Sequence, residues 1–408
     1  MNRRNSAFPK ILNNFPDKFT IENIPGDLLT DPCIYMNNAA TTWPKPPEVL
    51  KVASFVFSSP FYEHGRTTVH DAPDYIGLAR ESVADFLGVS RPEHIIFTSG
   101  ATDSLNLLIH GFASHVNRPF HAITTDLEHN SVLRPLRTLE QEGKCSLSII
   151  RTSGPYVKPE EILDLVRDDT ALVVIGHGSN VLGSVQNIEA IGTAVQHSGA
   201  FFLVDGAQTT GQYPAEPGRL PVDAFVFTGH KSLFGLPGTG GFYIKYPELV
   251  DPIRQGGTGV DSAGKFQPDE MPIKYEAGTP NYPGIAALGA GTEFVRRKGV
   301  DTILSQSRMM TSYLVTALGD TEGVRLYNPS PDLPVITFSV DGMDSEDIGF
   351  ILWKAYRIVV RTGLHCSPLV HERINAAGGI RISLSCMNTM DDCENVMTAI
   401  REIAASVR

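Results

Sequence analysis

Short apolar runs, each ending in small or polar residues, recur through the middle of the chain. Between about residues 75 and 250 these runs are rich in Val, Ile, Leu and Phe. Runs of this length and composition predict buried β-strands. The predicted strands are 94–100, 121–126, 147–150, 171–177, 200–205, 224–230 and 240–246.

Segments with helical periodicity lie between several of these strands, for example 73–88 and 187–199. An alternation of strands and helices predicts an α/β fold with a mostly parallel sheet covered by helices. In such sheets ligands bind at the carboxyl ends of the strands. The polar residues that end the predicted strands are therefore the first place to look for chemistry.

The last third of the chain has a different pattern. Residues 251–284 are rich in Gly and Pro and show little periodicity, which favours a functional or interface segment over a simple linker. After them, 285–299 predicts a long helix, 334–340 and 380–385 predict strands, and 391–407 predicts an amphipathic helix.

A chain of 408 residues is expected to form two domains. We predict a large domain over 31–284, a smaller α+β domain over 285–408, and an N-terminal arm over 1–30. The net charge of −11 argues against a nucleic-acid surface. No run of about 18 apolar residues predicts a membrane span, and the N-terminus has no apolar core typical of a secretory signal.

The cysteines argue against a disulfide framework or a structural zinc site, and no metal site is expected. Their number is odd, their spacing is wide and no CxxC motif occurs, which favours a reducing, cytoplasmic location. One of them is then free to act as a nucleophile. The five are Cys33, Cys145, Cys366, Cys386 and Cys393.

Lys231 and Asp205 each stand where a predicted strand ends, in TGHK (228–231) and VDGAQ (204–208). This placement predicts a pocket that contains both an amine and a carboxylate. Pyridoxal phosphate requires such a pair: an amine that holds it as a Schiff base, and a carboxylate that keeps its pyridine nitrogen protonated. We therefore expect this cofactor.

The turn Gly100-Ala101-Thr102 joins a predicted strand to a helix, so its backbone N–H groups can bind a phosphate. Taken alone, such a turn is more often only the start of a helix. Thr228 and His230, beside Lys231, are further candidates for the phosphate. The sequence GLPGTGG (235–241) lacks a nucleotide-binding pattern and predicts a tight turn.

Three residues are candidates for contacts with the cofactor ring. Gln208 and Asn180 can reach a ring oxygen, and His129 can stack on the ring face. Considered singly, each is more often a capping or surface group.

Cys366 lies among Gly, Ser and Pro in RTGLHCSPL (361–369), so we expect an exposed loop. Its neighbours His365 and Arg361 can favour the reactive thiolate. The alternative is a buried, inert cysteine. Arg361 and Arg381 can each grip a carboxylate through two hydrogen bonds, although either can instead be a surface charge.

Several motifs occur together and in order from about residue 33, and they resemble those of the class V aminotransferase superfamily. The similarity is greatest to SufS-like cysteine desulfurases and the related selenocysteine lyases. The opening motif departs from the usual pattern at Met36 and Asn37, and Ala101 replaces a threonine. The motifs are YMNNAATTWPKP (35–46), FTSGATDSLN (97–106), LEHNSVL (127–133), SNVLGS (179–184), VDGAQ (204–208), TGHK (228–231), YEAGTPN (275–281) and RTGLHC (361–366).

The resemblance implies a fold-type I pyridoxal phosphate enzyme, usually a homodimer with its sites at the subunit interface. It implies that Lys231 forms the Schiff base, with Asp205 on the ring nitrogen. The other cofactor contacts that it implies are Gln208, His129, Asn180, Ala101, Thr102, Thr228, His230 and, for the partner subunit's phosphate, Thr279.

The resemblance also implies the substrate side of the site. Arg381 binds the substrate carboxylate with Arg361 nearby, Asn180 and Ala40 complete the substrate contacts, and Cys366 accepts the sulfur. The expected reaction converts L-cysteine to L-alanine and leaves a persulfide on Cys366, for transfer to an acceptor protein. A C–S lyase, a selenocysteine lyase or an epimerase on the same scaffold remains an alternative, and a non-catalytic sulfur carrier or scaffold protein is a more remote one.

Overall fold

The computed structural model describes residues 32–60, 73–260 and 262–407, so the predicted N-terminal arm lies outside the described residues. Within the described residues the first elements are β1 (Ile34–Tyr35), α1 (Pro47–Ser58) and α2 (Tyr75–Phe86). The central sheet and its crossovers then comprise β2 (Ile95–Thr98), α3 (Ala101–Val116), β3 (Phe120–Thr125), α4 (Asn130–Gln141), β4 (Cys145–Ile150), α5 (Pro159–Leu163), β5 (Thr170–Gly176), α6 (Ile188–Gln196), β6 (Phe201–Asp205), β7 (Ala224–Thr228) and β8 (Gly240–Ile244).

These strands form a seven-stranded sheet in the order β2-β8-β7-β6-β5-β3-β4. Neighbours from β7 through β4 are parallel, whereas β8 is antiparallel to both β7 and β2. The predicted α/β fold with a mostly parallel sheet is confirmed. The connection from β7 to β8 contains no crossover helix, and a connection without a crossover joins antiparallel strands.

The apolar runs are continuous because both faces of this sheet are buried. Along β6, Phe201 and Leu203 belong to one hydrophobic cluster, while Phe202 and Val204 belong to another. Successive side chains of a strand point to opposite faces. Helices cover each face, so neither set of side chains reaches solvent.

Four of the remaining strands form a second, smaller sheet with its own core, which includes Ile336, Ile382 and Val396. Four antiparallel strands pair in the order β12-β13-β10-β9. The division into domains at residue 284 stays a prediction. The elements are α7 (Tyr282–Lys298), α8 (Val300–Gly319), β9 (Val324–Leu326), β10 (Val335–Val340), α9 (Ser345–Tyr356), β11 (Ile358–Val359), β12 (Arg361–Gly363), α10 (Pro368–Arg373), β13 (Gly379–Ser383) and α11 (Met390–Ser406).

Strand β1 connects the two ends of the described chain. Ile34 pairs in parallel with Ile358, and Asn37 forms a bridge with Ser383. The segment after β1 therefore runs between the smaller sheet and the carboxyl ends of the larger one. Across the described part of the chain, no helix combines the length and the apolar character needed to span a membrane.

Candidate active site

A cavity of about 200 Å³ opens at the carboxyl ends of β2, β6 and β7. The strand ends meet there because parallel strands present the same edge of the sheet. The residues predicted from sequence that line this cavity are Ala101, Thr102, His129, Asn180, Asp205, Gln208, Thr228, His230 and Lys231.

Lys231 and Asp205 place an amine and a carboxylate in this buried cavity. Burial lowers the pKa of Lys231 to about 8, and the nearby Asp205 opposes that shift. Burial raises the pKa of Asp205, while the Ala207 N–H, which donates to Oδ1 at 2.9 Å, and Lys231 act in the opposite direction. The amine therefore loses its proton more readily than a free lysine, and the carboxylate is short of compensating positive charge.

The turn before α3 is shaped to bind an anion. Gly100 has φ 146° and ψ 178°, a conformation open almost only to glycine. No side chain caps the N-terminus of α3, so its first N–H groups and its dipole remain available. Thr102 Oγ1 lies 2.8 Å from Ser131 Oγ, and Thr228, whose hydroxyl is close to Gly100, also lines the cavity.

Two histidines beside Lys231 are neutral. Burial, followed by the charge of Lys231, lowers the pKa of both His129 and His230 to about 4. His129 also caps α4, because its Nδ1 accepts the Ser131 N–H at 3.1 Å. Its ring is thus fixed in orientation and carries no charge, as a stacking residue requires.

Buried polar atoms without a protein partner show where a ligand fits. In the cavity lining they are Gln208 Oε1 and His230 Nδ1. Gln208 is held by its other end, since Nε2 donates to the Ala39 carbonyl at 3.1 Å. Together with the anion-binding turn, the amine and the carboxylate, these atoms match the phosphate, aldehyde and pyridine groups of pyridoxal phosphate, so the cavity fits this cofactor.

Arg361 and Arg381 face each other directly on β12 and β13, where their Cα atoms are register partners. Arg381 is only 1% exposed and donates to the Asn180 carbonyl at 3.0 Å and to Asn37 Oδ1 at 3.2 Å. Burial, with Arg361 second, lowers its pKa to about 9. Arg381 is therefore not a surface charge, and because both acceptors are neutral its positive charge is suited to a substrate carboxylate.

Cys366 lies in a tight turn beside the cavity, and the predicted loop is confirmed. The predicted exposure is wrong in degree, because the residue is half buried. Its carbonyl accepts the Asn130 N–H at 2.8 Å, and the His365 carbonyl accepts from Asn180 Nδ2 at 2.7 Å. These bonds hold the turn against the residue that follows His129 and against the cavity wall.

The predicted help from His365 to the thiolate is not supported. Burial lowers its pKa to about 3, so its ring is neutral at ordinary pH. Arg361, whose Nη2 lies 3.2 Å from Sγ, is instead the cation that contacts the sulfur.

Five predicted residues lie outside the cavity lining: Arg361, Cys366 and Arg381, described above, and also Thr279 and Ala40. Thr279 borders a second cavity of about 900 Å³, together with Val56 and Pro280. Ala40 lies in the turn after β1, whose next residue, Thr41, donates to the His230 carbonyl at 3.1 Å. The roles of Thr279 and Ala40 stay predictions.

Glu128 was missed by sequence reasoning, although it lines the cavity. Its Oε1 accepts from Thr125 Oγ1 at 2.7 Å, and burial raises its pKa to about 8, with Asp205 adding to the shift. Gly176, the register partner of Asp205, leaves the room that the carboxyl fills, since an added Cβ would lie 2.9 Å from Oε2. The sequence did contain a signal for Glu128, because this residue, like Asp205 and Lys231, lies near the end of a predicted buried strand.

Asn37 and Lys45 were missed as well. Asn37 was noted only as a departure from a motif, yet it contacts Arg381. Lys45 Nζ donates to the His230 carbonyl at 2.7 Å and to Thr42 Oγ1 at 2.8 Å. Thr42 in turn donates to the Lys231 carbonyl at 2.8 Å, so the segment after β1 fixes the backbone that carries the amine.

Comparison with known proteins agrees with this geometry. The model of the aminotransferase class-V family matches residues 34–396. A probable cysteine desulfurase of Methanothermobacter thermautotrophicus is 30% identical over 91% of this chain and 94% of its own length. A cysteine desulfurase of Serratia proteamaculans is 30% identical over 84% and 88%. The apo structure of a cysteine desulfurase from Thermococcus onnurineus superposes with a TM-score of 0.86 at 28% identity, covering 94% of this chain and 99% of that one.

Proposed function

This chain belongs to the aminotransferase class-V family, and from that premise we propose that it is a pyridoxal phosphate-dependent cysteine desulfurase. It converts L-cysteine to L-alanine and takes the sulfur onto Cys366. The observation that supports this proposal most directly is that Lys231, Asp205 and Cys366, which are far apart in sequence, meet at one site. Asn180, which lines the cavity with Lys231 and Asp205, donates to the His365 carbonyl at 2.7 Å and so holds the turn that carries Cys366 beside them.

The proposed cofactor contacts follow from the cavity. The turn at Gly100 and the hydroxyls of Thr102 and Thr228 would hold the phosphate. Asp205 would hold a proton at the ring nitrogen, while Gln208 and His129 would contact the ring. When bound there, pyridoxal phosphate supplies a sink for the electrons released when a substrate Cα–H bond breaks.

The substrate is positioned by its carboxylate. Arg381, fixed by Asn180 and Asn37, still has an unpartnered buried Nε. A carboxylate that binds this guanidinium would replace its lost hydration with charge-assisted hydrogen bonds. The amino acid would thus be oriented with its side chain toward Cys366.

Lys231 and Cys366 perform the two transfers of the reaction, Lys231 that of the proton and Cys366 that of the sulfur. With its pKa lowered to about 8, Lys231 is partly neutral near neutral pH and can accept the Cα proton. The Cys366 thiolate, paired with Arg361, forms a bond to the substrate sulfur as the C–S bond breaks. The carbon fragment gains a proton and leaves as alanine, while the persulfide stays on the turn for an acceptor, for which we propose a partner protein.

The same proposal includes a homodimer in a reducing, cytoplasmic location. Phe55 and Phe57 on α1 are 63% and 75% exposed, and Val56 between them borders the 900 Å³ cavity that also contains Thr279. Covering such an apolar surface with a second subunit would bring Thr279 toward the partner's phosphate. All five cysteines are free thiols, which supports the reducing location.

The test is to identify products and the state of Cys366 after incubation with pyridoxal phosphate and L-cysteine. Alanine, with a persulfide on the Cys366 peptide by mass spectrometry, is expected. Cys366→Ser should keep the cofactor absorption band and form no persulfide, while Cys386→Ser, at another half-buried cysteine, should behave as wild type. Pyruvate and ammonia instead of alanine would establish a C–S lyase and overturn the proposal.

A further inference from the structure

Two buried histidines lie behind Cys366 and have no part in the mechanism above. His365 Nδ1 lies 3.1 Å from His371 Nε2, and the ring centroids are 5.2 Å apart at 32°. His371 belongs to α10 and is fully buried. A buried polar atom without a partner is destabilising, and in this pair only His371 Nδ1 lacks one, so the direction of each bond matters.

The hydrogen-bond directions are fixed from one end. His365 Nε2 lies 3.3 Å from the carbonyl oxygen of Arg361, which can only accept. Nε2 must then carry the hydrogen, and Nδ1 of the same neutral ring is an acceptor. The donor to Nδ1 is therefore His371 Nε2–H. Burial lowers the pKa of both rings, which favours the neutral forms that this arrangement requires.

The arrangement supports a strained turn. His365 and Cys366 both have left-handed backbones, with φ of 53° and 60°. For residues other than glycine this conformation is unfavourable and persists only when surrounding contacts impose it. The Asn130 backbone N–H and the Asn180 side-chain amide donate hydrogen bonds to the carbonyls of the turn and hold them. His371 holds the turn from the side chain of His365.

The hydrogen bonds of His365 also connect His371 to the sulfur of Cys366. His365 binds the backbone of Arg361, and the Arg361 guanidinium contacts Cys366 Sγ at 3.2 Å. We propose that His371 is a positioning residue for Cys366: its Nε2–H orients His365, which fixes both the left-handed turn and the strand that carries Arg361. The inference rests on the proposed role of Cys366 as nucleophile. It assigns to His371 no contact with substrate or cofactor.

Two substitutions separate this role from simple packing. His371→Phe keeps a planar ring but removes the donor, whereas His371→Gln places an amide donor near the position of Nε2. The control His121→Phe removes another buried, hydrogen-bonded imidazole, which contacts Thr170 and Ser148 at the opposite end of β3. The assay is alkylation of Cys366 in the holoenzyme by iodoacetate and by iodoacetamide, measured on the Cys366 peptide by mass spectrometry.

In His371→Phe we expect iodoacetate to react roughly tenfold more slowly, the effect of one buried acceptor left without its donor. Its preference over neutral iodoacetamide should also fall, because Arg361 no longer lies against the sulfur. With cysteine as substrate, kcat should fall and KM should stay within about twofold. His371→Gln should restore most of the rate, and His121→Phe should match wild type.

Wild-type alkylation in His371→Phe, or equal losses in the Phe and Gln variants, would overturn the inference. If the Phe variant does not fold, ¹⁵N-histidine NMR of the wild-type protein decides: hydrogen on His371 Nδ1 in place of Nε2 would contradict it. Alkylation does not require turnover. A protein that makes no alanine but shows these rate differences would refute the proposed function and leave the positioning role intact.

Discussion

The Nη2 atom of Arg361 lies 3.2 Å from the sulfur of Cys366, the position of a charge-assisted hydrogen bond to a thiolate. Replacing Arg361 with Met removes this bond and should slow persulfide formation by roughly 10- to 100-fold, because such bonds contribute about 1.5–3 kcal/mol. The cofactor absorption band should not change. Single-turnover persulfide formation is the measurement, with Arg308→Met, at an exposed position of α8, as the control. Equal rates in both variants would contradict the assignment.

Asn37→Asp tests whether the charge of Arg381 is kept free for substrate. A carboxylate at Asn37 Oδ1 would pair with Arg381 Nη2, now 3.2 Å away, and compete with the carboxylate of the amino acid. We expect KM for cysteine to rise about tenfold, the loss of about 1.4 kcal/mol, with kcat nearly unchanged. Asn117→Asp adds the same charge at an exposed residue and should leave KM unaltered. A KM that does not move would show that Arg381 does not grip the carboxylate.

Gly100→Ala tests the anion-binding turn. Gly100 has φ 146°, so a side chain there is strained by about 1–3 kcal/mol even though an added Cβ meets nothing closer than 3.7 Å. The strain should shift the first N–H groups of α3 and weaken pyridoxal phosphate binding by roughly 5- to 100-fold, measured by titration of the apoenzyme. Gly143→Ala, also at positive φ but with open space around it, controls for a general loss of stability. Similar affinities in the two variants would exclude this turn as the phosphate site.

Substitutions of Glu128 test whether this second carboxyl, beside Asp205, acts in its neutral form. Burial raises its pKa to about 8, so near pH 7 the group is mostly protonated. Glu128→Gln keeps the shape and the neutral charge and should retain activity within about threefold. Glu128→Ala leaves a cavity and should cost several kcal/mol of stability, as other large-to-small changes in cores do. Steady-state kinetics and urea unfolding measure both effects, and a Gln variant as impaired as the Ala variant would show that the charged carboxylate is needed.

Because His177 is buried, we predict that the folded protein loses stability in acid. Burial lowers its pKa from 6.5 to about 4, so below pH 6.5 the unfolded chain binds a proton that the folded chain refuses until about pH 4. The stabilisation is complete above pH 6.5 and is lost as pH falls toward 4, by roughly 3 kcal/mol. The free energy of unfolding of the apoenzyme, measured in urea between pH 4 and 7, should fall less steeply for His177→Asn than for wild type. If the free energy of unfolding depended on pH equally in both proteins, His177 would not be the source of the acid sensitivity.

The sequence predicted the central sheet well because its inner strands, unlike the partly exposed edge strand β4, are buried on both faces. Continuous apolar runs such as 200–205 then stand out from their surroundings. The long helix α8 was not predicted, although Ile303, Met310 and Leu314 follow helical spacing. Strand β1 has only two residues and depends on pairing with β11, so no local sequence pattern predicts it.

The candidate site was predicted where residues end strands or repeat a family motif. Lys231, Asp205 and Thr102 belong to this group. The charge states of the site residues were harder to predict from the sequence, because the pKa of each side chain depends on its burial and on neighbours that are distant in sequence. His365 was expected to aid the thiolate, yet its burial beside Arg381 leaves it neutral. The contacts between Asn37 and Arg381, and between Lys45 and the His230 carbonyl, join residues 344 and 185 positions apart.

The paired residues Ile34 and Ile358 are synthesised far apart in time, because 324 positions separate them in the chain. At about 5–20 residues per second, the interval between synthesis of the two strands is on the order of 16 to 65 s. Throughout that time the first strand has no partner. Once residue 231 has been synthesised, the lysine and the aspartate are both present without the thiol of Cys366. A ribosome that stops between residues 231 and 366 therefore releases a chain that contains the two groups for the cofactor but not the sulfur acceptor.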